Sequence, residues 1–186
     1  MVSRLHGPSP ESRFGSPLPT YDGILVHVDS WEATWPDLFG KMLARAYNYD
    51  RLTNGACDVL EAAHAAVQDV VVPRLLSGPT EDGGRRPIDP CFIHGDLWEG
   101  NIRRQRATGK CFVFDSNGYY AHREMELAYW TTRHHRMHVG AYGDAYLSLR
   151  GPSEPVDEVD DRLKLYSVKA YLMYSAHARG HPARQQ

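Results

Sequence analysis

The residues best able to do chemistry lie in one run, His94-Gly95-Asp96-Leu97-Trp98-Glu99-Gly100-Asn101, in which four residues separate an aspartate from an asparagine. Protein kinases use the same separation: the aspartate receives the proton of the substrate hydroxyl and the asparagine holds Mg²⁺. Phosphoryl transfer asks little covalent work of a protein. It requires that a hydroxyl be aimed at the γ-phosphate of a nucleotide while metal is kept on the phosphate oxygens. An amide oxygen and a carboxylate are the hard ligands that magnesium prefers. A second carboxylate should come from a strand end soon afterwards, and Asp115, closing Cys111-Phe112-Val113-Phe114, is placed for it. An isolated Asp-x4-Asn is commonly a turn cap followed by ordinary polar punctuation. Here an apolar run and His94-Gly95 precede the motif and a second apolar run ending in Asp follows, and this context favours the chemical reading.

Two short strands are expected to position these groups. Cys91-Phe92-Ile93 ends at His94-Gly95, and Cys111 to Phe114 ends at Asp115 after a Gly109-Lys110 turn, so the carboxylates are expected together at one edge. Around them the pattern is helical. Leu38, Phe39, Met42, Leu43 and Tyr47 form a stripe from Trp35 to Tyr49, with Pro36 tolerable in the first turn. A second helix is expected from Asn54, as cap, to Val72, with Cys57, Leu60, Ala63, Val67 and Val71 on one face and Pro73 closing it. Residues 77–90 read as loop. Helix is expected again from Glu124, broken at Gly140, and a last helix runs from about Asp160 to Ala178. Residues 1–23, rich in Pro, Ser and Gly, read as loop. The fold class is mainly α with a small β element in the middle.

Composition bounds the alternatives. A chain of 186 residues suffices for one domain with a core. A formal net charge of −2 gives no general reason to hold nucleic acid. No apolar run approaches a bilayer span, and no signal peptide is evident, so neither a membrane nor an export route is expected. Three cysteines without CxxC spacing argue against a disulfide scaffold and for a cytoplasmic setting. His134 and His138, four apart in Arg133-His134-His135-Arg136-Met137-His138, have metal-ligand spacing on a helix. The run lacks the glutamate of an HExxH pattern, and its basic neighbours repel a cation, so a solvated or phosphate-facing basic face is preferred.

HGDLWEGN followed by CFVFDSNGYYAHREMELA resembles the fructosamine kinase family, the ketosamine-3-kinases that include protein-ribulosamine 3-kinases. Its signature is close to HGDLWSGN, then a strand, an Asp and a Tyr-Gly-His-x-Glu segment leading into a helix. Phe14-Gly15, Trp31-x3-Trp35-Pro36 and Asp161-Arg162-Leu163-x-Leu-Tyr166 extend the likeness over residues 5–180. Ala121-His122-Arg123-Glu124 and Ser153-Glu154-Pro155 look closest to fungal members. The resemblance implies the C-terminal lobe of a protein-kinase-like fold of the aminoglycoside-phosphotransferase and choline-kinase-like group. Its parts would be a post-hinge loop (1–23), a helical region (24–90), catalytic and metal loops (91–126) and C-terminal helices (127–186). It implies ATP and Mg²⁺ as cofactors, Asp96 as catalytic base, Asn101 and Asp115 as magnesium ligands, and Trp98 as a wall against the sugar-like substrate. His94, His122, Glu124 and Glu126 would support the site through substrate contact, a buried ion pair or a cap. The implied reaction moves phosphate to the 3-hydroxyl of a ketosamine, free or on a glycated protein.

Departures from the family matter as well. The phosphate-covering Gly-rich loop and its lysine belong to an N-terminal lobe that is not seen before Phe14, and Lys41 on a helix is a poor substitute. Residues 1–186 alone are therefore expected to have little kinase activity, and to dimerise or aggregate through apolar surface that the other lobe would cover. Ser116-Asn117-Gly118 stands where the family commonly has Pro-Ala. Two other readings stay open: a pseudokinase lobe that binds without catalysis, and a kinase for choline or aminoglycosides, which shares the Asp-x4-Asn device.

Overall fold

Two long helices carry the core. In the computed structural model, which describes residues 2–7, 9–77, 88–138 and 140–185, the chain opens with a helical turn, α1 (Val2–Leu5). Strands β1 (Phe14–Gly15), β2 (Thr20–Asp22), β3 (Leu25–Val28) and β4 (Trp31–Glu32) follow. Helix α2 (Trp35–Asn54) starts at Thr34, whose hydroxyl accepts from Asp37 N at 3.4 Å, with Pro36 in the first turn where its missing N–H costs nothing. Its buried residues Trp35, Leu38, Phe39, Met42, Leu43, Ala46, Tyr47 and Asp50 recur at helical spacing. They pack on α6 (Val159–His177), which buries Arg162, Leu165, Tyr166, Lys169, Ala170, Leu172 and Met173.

Between these helices come α3 (Asp58–Ala66), a π-helical turn (Val67–Val71), α4 (Val72–Leu76), β5 (Cys91–Ile93), β6 (Ile102–Arg104), β7 (Cys111–Val113), β8 (Tyr119–Ala121) and α5 (Ala141–Arg150). A four-stranded antiparallel sheet runs β4-β1-β8-β5, and β2-β3 and β6-β7 form separate two-stranded sheets. Phe14 faces Glu32, Gly15 faces Tyr120, and Phe92 faces Tyr120 from the other side. Gly15 is required at this crossing: with φ at +134°, an added Cβ would lie 2.1 Å from the Ser30 carbonyl.

Several expectations are corrected here. The region 1–23 is not all loop, because β1 and β2 find partners outside it and long-range pairing supplies order that its composition hides. The small β element therefore draws on the start of the chain as well as its middle. Asn54 ends α2 rather than capping the next helix: its side chain bonds Asp50, the Ser175 carbonyl and Gly180 N. The second helix starts at Asp58, after Cys57, and passes into a π turn; Cys57 and Ala63 are exposed, while Leu60, Val67 and Val71 meet the core edge. Pro73 falls in the first turn of α4 instead of ending the helix. Within the loop expected at 77–90, residues 78–87 lie outside the described residues. From Glu124 the chain forms tight 3₁₀ turns (Arg123–Leu127, Tyr129–Thr131, Arg136–His138) rather than a helix, and α5 begins after Gly140. Among the described residues no helix is long and apolar enough to cross a membrane, and Cys57, Cys91 and Cys111 are all free thiols.

Candidate active site

β5 leads into the His94–Asn101 run by ending at Ile93, whose side chain is fully buried in the core. It pairs with β8 rather than with β7, so Asp96 and Asp115 meet through loop hydrogen bonds and not across one sheet edge. Phe114 N donates to Asn101 O at 3.2 Å, and Asn117 N donates to His94 O at 2.9 Å. Asp96 N donates to His94 Nδ1 at 3.4 Å, which leaves the ring proton on Nε2 to reach Phe114 O at 3.0 Å. His94 thus clasps the two loops together.

Glu126, 1% exposed, fixes the start of the run from beneath. Its carboxylate accepts from His94 N at 2.6 Å and Gly95 N at 3.0 Å, and His6 Nε2 lies 3.1 Å away. Gly95 has φ at +79°, and a Cβ there would lie 2.8 Å from Asn117 O and 2.9 Å from the Tyr119 ring. The Ser116-Asn117 departure has a local use: Ser116 Oγ donates to His94 O at 3.1 Å, and Asn117 Oδ1 accepts from Tyr21 N at 2.9 Å.

Asn101, 5% exposed, sits between the two aspartates. Its Nδ2 donates to Asp96 Oδ2 and to the Asp96 carbonyl, each at 2.8 Å, and approaches the Asp115 carbonyl at 3.5 Å. Among the described residues no hydrogen bond uses Asn101 Oδ1 or the Asp115 carboxylate. Asp115 is exposed and holds φ at +61°, a left-handed conformation that Asp tolerates better than most residues. Burial, and next the charge of Asp22, raise the Asp96 pKa to about 6, while the Asn101 hydrogen bond pulls it back. The Asp96 pKa is thereby brought closer to neutrality than that of an ordinary aspartate.

Trp98, half-buried, folds over Gly100, where a Cβ would lie 2.2 Å from the indole. Its other neighbour is His135, 5.4 Å away between ring centroids. His122 and Glu124 form a separate buried network. His122 lies 2.7 Å from Tyr166 Oη and 2.8 Å from Ser153 Oγ; Glu124 takes Arg162 Nε at 2.7 Å and Ser153 N at 2.6 Å. His134 and His138 do not share a helix face: His134 packs on Tyr174 and His181, and His138 Nδ1 lies 2.7 Å from His135 O. Among the described residues no group of three or more His, Cys, Asp and Glu could hold a metal.

Sequence reasoning missed the groups behind Asp96. Asp22, in the β2–β3 hairpin, accepts from Tyr129 Oη at 3.1 Å and pairs with His177 Nε2 at 3.1 Å. Burial alone would raise its pKa; the His177 hydrogen bond and Lys169 outweigh it and bring it below the carboxylate range. Lys169, 1% exposed, is pushed down to about 8 by burial, with Asp22 and Asp96 opposing. Local pattern hid both: Asp22 lies in a stretch of loop composition, and the one signal for Lys169 is its place among core positions of α6.

The arrangement of helices around small sheets, with an Asp-x4-Asn loop laced to a following Asp loop, is consistent with a kinase-like fold. Two solved fructosamine-3-kinase homologues share the fold with a TM-score of 0.67 each. The one from Thermobifida fusca is 24% identical, over 99% of this chain and 58% of its own. The one from Haemophilus somnus is 18% identical, over 94% of this chain and 53% of its own. The sequence model of the fructosamine kinase family matches residues 1–183, and the chain belongs to that family of kinases. The mouse ketosamine-3-kinase is 25% identical over 89% of this chain and 48% of its own length. The chloroplastic protein-ribulosamine 3-kinase of Arabidopsis thaliana is 25% identical over 61% of this chain and 32% of its own. The chain thus spans about half, or less, of the length of these curated relatives.

Proposed function

We propose that this lobe supplies the acceptor and metal side of an ATP-dependent kinase that phosphorylates the 3-hydroxyl of ketosamines, free or on glycated proteins. The observation that carries this reading is the convergence of Asp96, Asn101 and Asp115 through direct hydrogen bonds. Asp96 accepts the proton of the acceptor hydroxyl as the oxygen attacks the γ-phosphate. The free Asn101 amide oxygen and the unengaged Asp115 carboxylate fit Mg²⁺, a hard cation bound by one or two protein oxygens plus phosphates. When bound, it supplies charge neutralisation on the phosphate oxygens. Trp98 offers an apolar face to the C–H side of the sugar. The fungal affinity, the cytoplasmic setting and self-association through exposed apolar surface belong to the same reading.

The test is phosphate transfer from ATP to a model fructosamine and a model ribulosamine. It should be run on residues 1–186 and on a form extended by a Gly-rich loop and its lysine. The extended form should turn over and the Asp96→Ala extended form should not. Transfer to choline or an aminoglycoside in preference to either ketosamine would overturn the substrate class. Full activity of the Asp96→Ala form would overturn the role of Asp96.

A further inference from the structure

The histidine run at 133–138 offers no metal site among the described residues, yet one of its rings is fixed more firmly than a solvated basic face requires. The His135 side chain is 11% exposed. Its Nε2 lies 2.5 Å from Tyr174 Oη on α6, and its Nδ1 lies 3.4 Å from Glu99 Oε2. Burial lowers its pKa, with Glu99 opposing, so the ring is neutral at ordinary pH. The proton then belongs on Nδ1, facing the carboxylate, and Nε2 accepts from the phenol. The main chain is held as well: His135 N donates to Thr132 O at 3.3 Å, and Arg136 N donates to Glu99 Oε1 at 3.1 Å.

Three aromatic rings meet this imidazole, with centroids at 5.4 Å for Trp98, 5.7 Å for Tyr174 and 5.9 Å for Tyr129. Two of them have polar anchors of their own. Tyr129 Oη donates to Asp22 Oδ2, and Tyr174 Oη donates to His135. Trp98 is different: among the described residues no hydrogen bond engages its indole N–H, whereas Trp35 and Trp130 donate theirs to Tyr166 Oη and Leu97 O. Packing alone sets the Trp98 rotamer. From below it rests on Gly100, where a Cβ would lie 2.2 Å from the indole, and His135 is its one ring neighbour among the described residues. A half-buried indole held only by packing keeps its angle as long as that neighbour stays fixed.

We propose that His135 is a positioning residue. Pinned between Tyr174 and Glu99, it holds the Trp98 indole at the angle from which its open face meets the C–H side of the acceptor sugar. This rests on the ketosamine reading above, in which Trp98 is the acceptor wall, and adds the residue that aims the wall. It also gives the histidine run a use that its metal-ligand spacing does not.

Fluorine NMR of residues 1–186 carrying fluorotryptophan tests it, because each of the four indoles gives its own resonance and Trp98→Phe assigns one of them. His135→Ala should shift and broaden the Trp98 line and leave the others in place. Tyr174→Phe keeps the ring and removes only the hydroxyl, so it should move the same line in the same direction by less. A fructosyl-alkylamine should move the Trp98 line of the parent, and His135→Ala should raise the dissociation constant read from that movement by about 3- to 10-fold, the range of an aromatic contact. A Trp98 line unchanged in both variants overturns the proposal. So does movement of all four lines together in His135→Ala with none in Tyr174→Phe, which assigns His135 to the fold at large. Equal affinity of parent and His135→Ala also overturns it and leaves the kinase reading standing. A parent whose Trp98 line ignores the fructosyl-alkylamine removes Trp98 as the acceptor wall, and the proposal with it.

Discussion

Asp96 has to be ionised to accept a proton, yet it is half-buried beside a second carboxylate, Asp22. The Asn101 amide resolves this conflict by donating to Asp96 Oδ2 while leaving its own oxygen unengaged. One side chain therefore orients Asp96 and keeps its own amide oxygen unengaged. Asp96→Asn keeps the shape and removes the basic oxygen, so turnover of the extended enzyme should fall by about 10²–10⁴-fold, the usual contribution of a general base. Its thermal melting should hold, because the change relieves a raised carboxylate. A variant that melts early and loses activity in proportion would show that Asp96 acts on the fold instead. At this scale the sequence was legible in the nearness of Asp96, Asn101 and Asp115, which hydrogen bonds from the Asn101 amide join. It was opaque at Asp22 and Lys169, whose charges act on Asp96 only once β2 and α6 are in place.

The turn Arg123–Leu127 shows how an element can do two structural jobs. Glu126 reaches back to the backbone of His94 and Gly95, and Glu124 reaches out to α6 through Arg162. Cutting the second link by Arg162→Met strands a buried carboxylate, and urea unfolding should register a loss of about 3–5 kcal/mol. The double change Arg162→Met with Glu124→Gln should recover part of it; an unchanged midpoint in the single variant would mean that the pair contributes nothing. His122, on the same turn, gives a pH signature. Burial first, and then the nearby arginines, bring its pKa from 6.5 to about 4, with Glu124 opposing. Between those values the unfolded chain binds a proton that the folded chain refuses, so stability is full above pH 6.5 and declines as pH falls toward about 4. Urea midpoints measured across this window should drop with acid, and His122→Gln should flatten part of the slope. His27, also lowered by burial, would supply a remainder of the same sign. The helices α2 and α6 were readable from their apolar period. The stretch from Glu124 was not, because buried polar side chains, and not an apolar stripe, hold its tight turns.

Across the whole molecule, the β2–β3 hairpin and the residues before it hold Asp22 inward and apolar groups outward. Asp22 is bonded to Tyr129 and His177, while Leu18, Tyr21 and Ile24 are 71%, 52% and 90% exposed. Apolar side chains gathered so openly favour association. Size-exclusion chromatography of residues 1–186 should show mass rising with concentration, and Leu18→Lys with Ile24→Lys should return it to a monomer. A monomer at every concentration without those changes would end this expectation. The fold class was visible from helical period plus two apolar runs, but the four-stranded sheet was not, since β1 and β4 are too short to announce themselves without β8. The central claim is that Asp96, Asn101 and Asp115 surround one metal–nucleotide site. Its most direct test is NMR line broadening by Mn²⁺ with a non-hydrolysable ATP analogue, read residue by residue. The account predicts broadening centred on Asn101, Asp115 and Asp96 that disappears in Asp115→Asn; broadening centred elsewhere, or unchanged by that substitution, would contradict it.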